Sequence, residues 1–266
     1  MPELPEVETI RRQLEEKVVG ATITGVTVRR ANCYIGPELL VHELITEIGR
    51  TGKYLFVHFD SGRGLVIHLK MTGRLVVDVD LYDELPHTRV VMDLSSGKKI
   101  YYWDARTFGY VKYVEDIKNA QGIQKSKLGP DPWEITEDTF YKLLHKYQRP
   151  IKNLILDQAL LAGVGNIYAN DSLWEAGIDP RRAASNLSKL ESKKLLLALR
   201  MVMERGLITG GASDNSYVNA LGQKGSYQDE FRVYKRTGKP CLKCGNKLER
   251  IVVGGRGSWV CSKCQK

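Results

Sequence analysis

The chain lacks any run of 18 apolar residues, so no segment reads as a membrane-spanning helix. It also lacks the basic-then-apolar start of a secretory signal. Cysteine is scarce: of five, four crowd into the last 26 residues and Cys33 stands alone. A lone thiol fits a reducing compartment better than a disulfide scaffold, so the expected location is cytoplasmic. Acidic residues are in deficit, 31 against 40 basic ones, leaving a formal charge of +9. That surplus favours a polyanionic partner, nucleic acid before an anionic membrane. Internal repeats are absent.

What is present divides into parts. The run PEVETIRRQLEEKVV predicts an amphipathic first helix ending near Gly20. Seven β-rich runs follow between residues 21 and 114, namely ATITGVTV, YLFVHF, GLVIHL, RLVVDV, RVVMDL, KIYYW and YVKYV. Separated by DSG and SSG turn signals, they predict a sandwich or barrel. LGPDPWEIT, residues 128–136, reads as a linker. Helical periodicity returns in EDTFYKLLHKY, in IKNLILDQALL (151–161) and in NDSLWEAG. A longer helix starts at Ser188, with Glu191 in capping-box spacing, and is expected to end at Gly206. Residues 209–228 hold four glycines and many small polar residues, which predicts a mobile loop with a functional role.

The tail carries the clearest chemistry. CLKC and CSKC are separated by sixteen residues, a spacing that suits one Zn²⁺ held by Cys241, Cys244, Cys261 and Cys264. Four thiolates leave no open coordination position, so the metal is structural. The intervening LERIVVGGRGSWV predicts a β-hairpin turning at Gly254–Gly255, with Arg256 at its tip. A guanidinium there suits a phosphate, although a solvated surface arginine would read the same.

Pro2 poses a separate question. Pro5 is explained by the helix start, but Pro2 precedes it. If Met1 is trimmed, Pro2 presents a free secondary amine. With Met1 retained, its nitrogen is an amide that cannot attack.

Four features occur in order: PELPE with Glu3 and Glu6, GKYL with Lys53, GVGNIYA at 163–169, and VYKRTGKPC entering the four-cysteine finger. Together they resemble the bacterial formamidopyrimidine-DNA glycosylases over essentially the whole chain. The resemblance implies an α+β multidomain protein. Residues 1–127 would form a catalytic β-sandwich with a flanking helix. Residues 128–232 would form a helix–two-turn–helix DNA-binding domain whose loop 209–228 covers the lesion, and residues 233–266 a zinc-finger hairpin. It implies a base-excision-repair glycosylase and abasic-site lyase for 8-oxoguanine and formamidopyrimidines, acting as a monomer on double-stranded DNA in the bacterial nucleoid.

By the same resemblance Pro2 is the nucleophile at C1′ and Glu3 the general acid–base group. Lys53 and Arg256 bind phosphate and assist elimination. Met71, Arg106 and Phe108 fill the gap left by the flipped base, with Arg106 on the orphaned cytosine. Asn166, Lys152, His87 and a basic residue at Lys146 or Arg149 join them on phosphates, giving about six contacts and a log–log salt slope of roughly −5. Outside the resemblance, Met71 reads as a core residue, Phe108 as a strand aromatic and Lys53 as a solvated lysine. Departures from the family pattern are Asn170–Asp171 for Ser–Glu, Lys70 for glycine, and Ala212–Ser213 where threonine is frequent. Two alternatives are an endonuclease VIII-like enzyme for oxidised pyrimidines and a non-catalytic DNA-binding zinc ribbon.

Overall fold

Pro5 lies in the first turn of helix α1 (Leu4–Val18), where its missing N–H costs nothing. Val7, Ile10, Leu14 and Val18 recur at three- and four-residue spacing and are almost fully buried. The structure is a computed structural model describing residues 1–37 and 42–266.

The strands are β1 (Thr22–Val28), β2 (Tyr34–Ile35), β3 (Glu43–Thr51), β4 (Tyr54–Phe59), β5 (Gly64–His68), β6 (Arg74–Val77), β7 (Thr88–Leu94), β8 (Lys99–Trp103) and β9 (Tyr110–Val114). Among the described residues they form one sheet in the order β2-β9-β5-β4-β3-β1-β7-β8-β6, in which only the β2–β9 pairing is parallel. The two halves are joined by a short β1–β3 pairing, Thr22↔Leu44 and Ile23↔Glu43. Alternate residues of both halves, such as Leu55, Val57 and Phe59 against Val90, Met92 and Leu94, enter one core with α1. Val57, Leu65 and Ile67 meet Leu75, Met92 and Ile100 around one small cavity, so the halves face each other as a sandwich. Each such buried side chain contributes about 1.5–3 kcal/mol, enough for a period-2 run to choose its inner face.

All seven β-runs are strands. β3 escapes the periodicity because its register shifts between Ile45 and Glu47, breaking the alternation. β2 is too short to signal. Helices α2 (Leu81–Glu84) and α3 (Ile117–Lys127) were likewise not predicted.

The chain divides into two units, residues 1–126 with 206–228 and residues 127–205 with 229–266. The loop 209–228 therefore groups with the sandwich and not with the helical segment to which sequence assigned it. Its Tyr217 and Ala220 join the sandwich core. Ala220 N–H donates to Gln13 Oε1 at 2.9 Å, and Ala220 O accepts from Val77 N–H at 2.8 Å. The segment is anchored at these points, unlike the mobile loop its composition suggests.

The second unit contains α4 (Glu137–His145), α5 (Ile151–Ile155), α6 (Asn166–Ala176), most of α7 (Lys189–Ile208), β10 (Glu249–Val253) and β11 (Arg256–Val260). The capping box at α7 is present: Ser188 N–H donates to Glu191 Oε2 at 2.8 Å, and Glu191 N–H to Ser188 Oγ at 3.3 Å. Two helix ends differ from expectation. The helix predicted over 151–161 stops at Ile155, because Asp157 Oδ1 captures Ala159 N–H at 3.0 Å and starts a turn. Helix α7 runs past Gly206, and the left-handed glycine that ends it is Gly210, at φ 71°.

Candidate functional site

Glu3 is the N-cap of α1, where unpaired N–H groups favour carboxylates. The Glu6 carboxylate accepts from Glu3 N–H at 2.8 Å through Oε2 and from Ala212 N–H at 2.8 Å through Oε1. It thus ties the start of the chain to the loop 209–228. Pro2, Glu3 and Glu6 are buried, whereas Met1 is exposed. Gly211, at φ 90°, must be glycine, since a Cβ would lie 2.9 Å from Glu6 Cγ. The departing Ser213 has defined work. Its hydroxyl donates to Tyr217 O at 3.0 Å and accepts from Gly225 N–H at 2.9 Å.

Lys53 sits in the two-residue Gly52–Lys53 turn of the β3–β4 hairpin, closed by the Thr51↔Tyr54 pair. It is buried, 7% exposed, and not the solvated lysine that sequence alone suggests. Arg50 braces the turn: Nη1 donates to Gly52 O at 2.9 Å while Nε donates to Glu8 Oε2 at 2.8 Å. Burial alone would raise the Glu8 carboxyl, but hydrogen bonds from Arg11, Arg12 and Arg50 outweigh it and hold it at about 2. Helix α1 and the Lys53 turn are therefore one rigid frame.

His68, which sequence reasoning passed over, adjoins this frame. Its ring lies edge-on to Tyr54 at 4.5 Å. Burial, with the charges of Lys70 and Lys53, pushes its imidazole down to about 3. Nδ1 accepts from Lys70 N–H at 2.9 Å, so the neutral ring carries its proton on Nε2 as a donor. Its signal was its place, a histidine closing an inward strand just before Met71.

The three residues expected to fill the base gap come together from two loops. Arg106 Nη1 lies 3.3 Å from Met71 Sδ, and the Arg106 guanidinium stacks 4.6 Å from the Phe108 ring. Met71 is 44% and Phe108 54% exposed, so neither is the core or strand residue its type alone suggests. Lys70 takes a left-handed φ of 50°, which explains why glycine suits this position and leaves the departure to lysine without a structural explanation. His87 lies just before β7, half-buried, with its carbonyl accepting from Asp104 N–H at 2.9 Å and Nδ1 3.0 Å from Arg89 Nη2.

In the second unit Lys146 is the exposed C-cap of α4, whereas Arg149 is ion-paired to Asp157 at 2.7 Å. Arg256 is exposed and follows the hairpin turn of Gly254 (φ 56°) and Gly255 (φ 74°). A Cβ at Gly254 would sit 2.2 Å from the Asn153 side chain, so only glycine lets the turn pack.

Lys152, expected on a phosphate, has partners within the chain. It is 0% exposed, and its Nζ donates to Gly257 O at 2.7 Å and Ser258 Oγ at 2.6 Å. Burial and internal acceptors hold the ammonium on the finger backbone. Asn166, at the start of α6, donates Nδ2 to the same Gly257 O at 3.2 Å. The Asn170–Asp171 departure also has structural work. Asn170 Oδ1 accepts from Trp259 N–H at 2.9 Å, and Asp171 accepts from the N–H groups of Arg232, Val233 and Tyr234 at 3.0–3.1 Å.

The sulfurs of Cys241, Cys244, Cys261 and Cys264 all lie within 4.8 Å of one another. The pairs Cys241–Cys264 and Cys244–Cys261 are 3.9 and 3.5 Å apart. A tetrahedron with Zn–S arms of about 2.3 Å has edges of about 3.8 Å, so the four fit one structural zinc. The Trp174 indole N–H donates to Cys241 Sγ at 3.3 Å, the kind of outer contact that steadies a thiolate ligand.

Comparison with known proteins accords with these parts. Residues 1–111 match the formamidopyrimidine-DNA glycosylase N-terminal domain. Residues 128–217 match the H2TH domain of the same enzymes, and residues 238–266 match a zinc finger found in FPG and IleRS. The formamidopyrimidine-DNA glycosylase of Pelotomaculum thermopropionicum is 40% identical, over 100% of this chain and 99% of the relative. That of Streptococcus pyogenes serotype M18 is also 40% identical, with the same coverage. The crystal structure of the MutM (FPG) protein from Thermus thermophilus superposes with a TM-score of 0.88 at 39% identity, covering 99% of this chain and 98% of that one. Lactococcus lactis Fpg, solved with DNA containing an abasic site, superposes at 0.91 with 32% identity, covering 99% of both chains. With likeness of this extent in sequence, fold and cysteine cluster, the chain belongs to the formamidopyrimidine-DNA glycosylase family.

Proposed function

We propose that this protein is a base-excision-repair DNA glycosylase for formamidopyrimidines and 8-oxoguanine, and that it also cleaves the strand at the resulting abasic site. The observation that carries the reading is the placement of Pro2 directly before a buried Glu3, in one frame with the start of α1 and the Lys53 turn. Once Met1 is removed, the Pro2 nitrogen is a secondary amine, and α-amino groups as a class give up their proton more readily than lysine side chains, which favours the neutral nucleophile. It attacks C1′ and the base leaves with the glycosidic electron pair, taking up a proton. The nitrogen then gives up its own proton and its lone pair breaks C1′–O4′, with O4′ protonated by Glu3, which opens the sugar. Because the amine is secondary, the resulting iminium is cationic at every pH. That cation acidifies C2′–H. Loss of that proton expels the 3′ phosphate, and a second elimination expels the 5′ phosphate. Glu3 serves as the acid–base group, with Lys53 and Arg256 on the phosphates.

The supporting residues follow the same scheme. Met71, Arg106 and Phe108 occupy the vacated base position, and His87, Lys146, Arg149 and Asn166 are candidate backbone contacts. Residues 1–127 carry the chemistry, with loop 209–228, which groups with them, over the lesion; the helical segment from 128 binds DNA, and 233–266 form the finger. The protein acts as a monomer, held at the nucleoid by DNA binding. Zinc, when bound, folds the finger and supplies no reactive position.

Borohydride trapping on an abasic-site duplex tests the proposal. A reduced covalent adduct mapping to Pro2 by mass spectrometry is expected, and Pro2→Gly should abolish it. An adduct on a lysine, or none with the Met1-free protein, refutes the mechanism.

A further inference from the structure

Two connections, β5 to β6 (residues 69–73) and β8 to β9 (residues 104–109), cross the same end of the sandwich. His68 pairs with Tyr110, and Arg74 pairs with Trp103. Both loops start and finish on paired strands and so run side by side. One carries Met71, the other Arg106 and Phe108.

The second loop begins with Asp104, which is 0% exposed and faces the first. Oδ1 accepts from Thr72 Oγ1 of the other loop and from Arg106 N–H at 3.1 Å. Oδ2 accepts from Gly109 N–H at 2.9 Å and Tyr102 O–H at 3.2 Å. Thr72 Oγ1 also lies 3.2 Å from Arg106 N. The two backbone donors flank Thr107, a β-branched residue at φ 57°. Such a conformation is unfavourable and persists only where surrounding contacts over-determine it. Gly109 permits the close approach, since a Cβ there would lie 2.2 Å from Tyr102 Oη and 2.6 Å from His68 O.

We propose that Asp104 is the positioning residue of the base-filling wedge: its buried carboxylate clamps the Met71 loop to the Arg106–Phe108 loop and holds Thr107 left-handed, so that the three side chains project as one preformed unit. The inference rests on the glycosylase reading above. Four donors need a group that only accepts. Asp104→Asn keeps the shape but turns an NH₂ toward two of those donors. The wedge then loses its preformed geometry while the Glu3–Glu6 bond and the Arg50 braces of the Lys53 turn, none of which involves Asp104, are kept. The consequence is selective, because the wedge acts on duplex DNA and a single strand has no gap to fill.

The test compares wild type, Asp104→Asn and Thr72→Ala on three substrates: 8-oxoguanine opposite cytosine, 8-oxoguanine opposite adenine, and single-stranded abasic DNA with borohydride. Asp104→Asn should lower excision opposite cytosine by about tenfold or more, the loss of one hydrogen bond's worth of transition-state stabilisation. The cytosine-over-adenine preference should shrink toward one, with single-strand trapping within about twofold of wild type. Thr72→Ala should move the same ratios by less, and it decides the matter if Asp104→Asn does not fold. Unchanged ratios in a folded variant, or an equal fall on all three substrates, overturn the proposal. Failure of wild type to trap would instead sink the glycosylase reading.

Discussion

Lys152→Met separates two roles that one lysine could play. The Lys152 ammonium is enclosed, with hydrogen bonds of 2.7 and 2.6 Å to Gly257 O and Ser258 Oγ. Methionine keeps much of the stem and removes the charge. Each lost charge-assisted bond costs about 1.5–3 kcal/mol. Against that, the variant escapes the desolvation of a buried ammonium, several kcal/mol in itself. Both acceptors also retain a partner: Gly257 O keeps Asn166 Nδ2 at 3.2 Å, and Ser258 Oγ can donate to Arg256 O at 3.3 Å. The opposing effects leave a net loss of about 1–3 kcal/mol. The second unit's melting transition should fall by about 3–6 °C for each of those kcal/mol.

Binding gives the discriminating half of the experiment. Each phosphate contact contributes roughly −0.9 to the log–log salt slope. A lysine that never reaches phosphate leaves that slope unchanged, while affinity falls because Asn166 and the backbone beside Arg256 lose a shared anchor. Calorimetry of the zinc-loaded protein, with anisotropy on an abasic-analogue duplex across a salt series, reads both quantities. An unchanged melting temperature with a slope shallower by about one would refute the tether and restore the phosphate contact expected from sequence.

Metal analysis should find one zinc per chain, and Cys244→Ala should lose it together with the finger's protease resistance; a metal-free wild-type protein with an intact finger would contradict this. Acid should destabilise the first unit in two stages. His68 is held down to about 3 by burial and by Lys70 and Lys53, so the unfolded chain takes up its proton first. The stability that the neutral ring confers is complete above about 6.5 and declines as pH falls toward 3. Glu8, held at about 2 against its own burial by three arginines, adds a loss that begins near about pH 4. A series of thermal melts from pH 7 to 3 should show the upper stage in wild type and not in His68→Gln; identical profiles would remove His68 as its cause.

Local pattern determined a great deal of this protein. Period-2 runs marked seven strands, because alternate burial is a property of each strand alone. Ser188 and Glu191 marked a helix start, since a capping box closes within four residues. Cysteine spacing marked the metal, since each knuckle is itself local. The ordered PELPE, GKYL, GVGNIYA and four-cysteine features carried the family. What tertiary structure decided concerns groups whose partners lie far along the chain. Lys152 looks like any solvent-facing lysine until Gly257 and Ser258 close over it. Asp104 is anonymous until Thr72 arrives from the neighbouring loop, and His68 acquires its environment only when Lys53 and Tyr54 pack beside it. The loop 209–228 has a flexible composition, yet Glu6 and Gln13 hold it to the first helix. Burial and hydrogen-bond satisfaction depend on what folds against a residue, and no spacing within the chain encodes that.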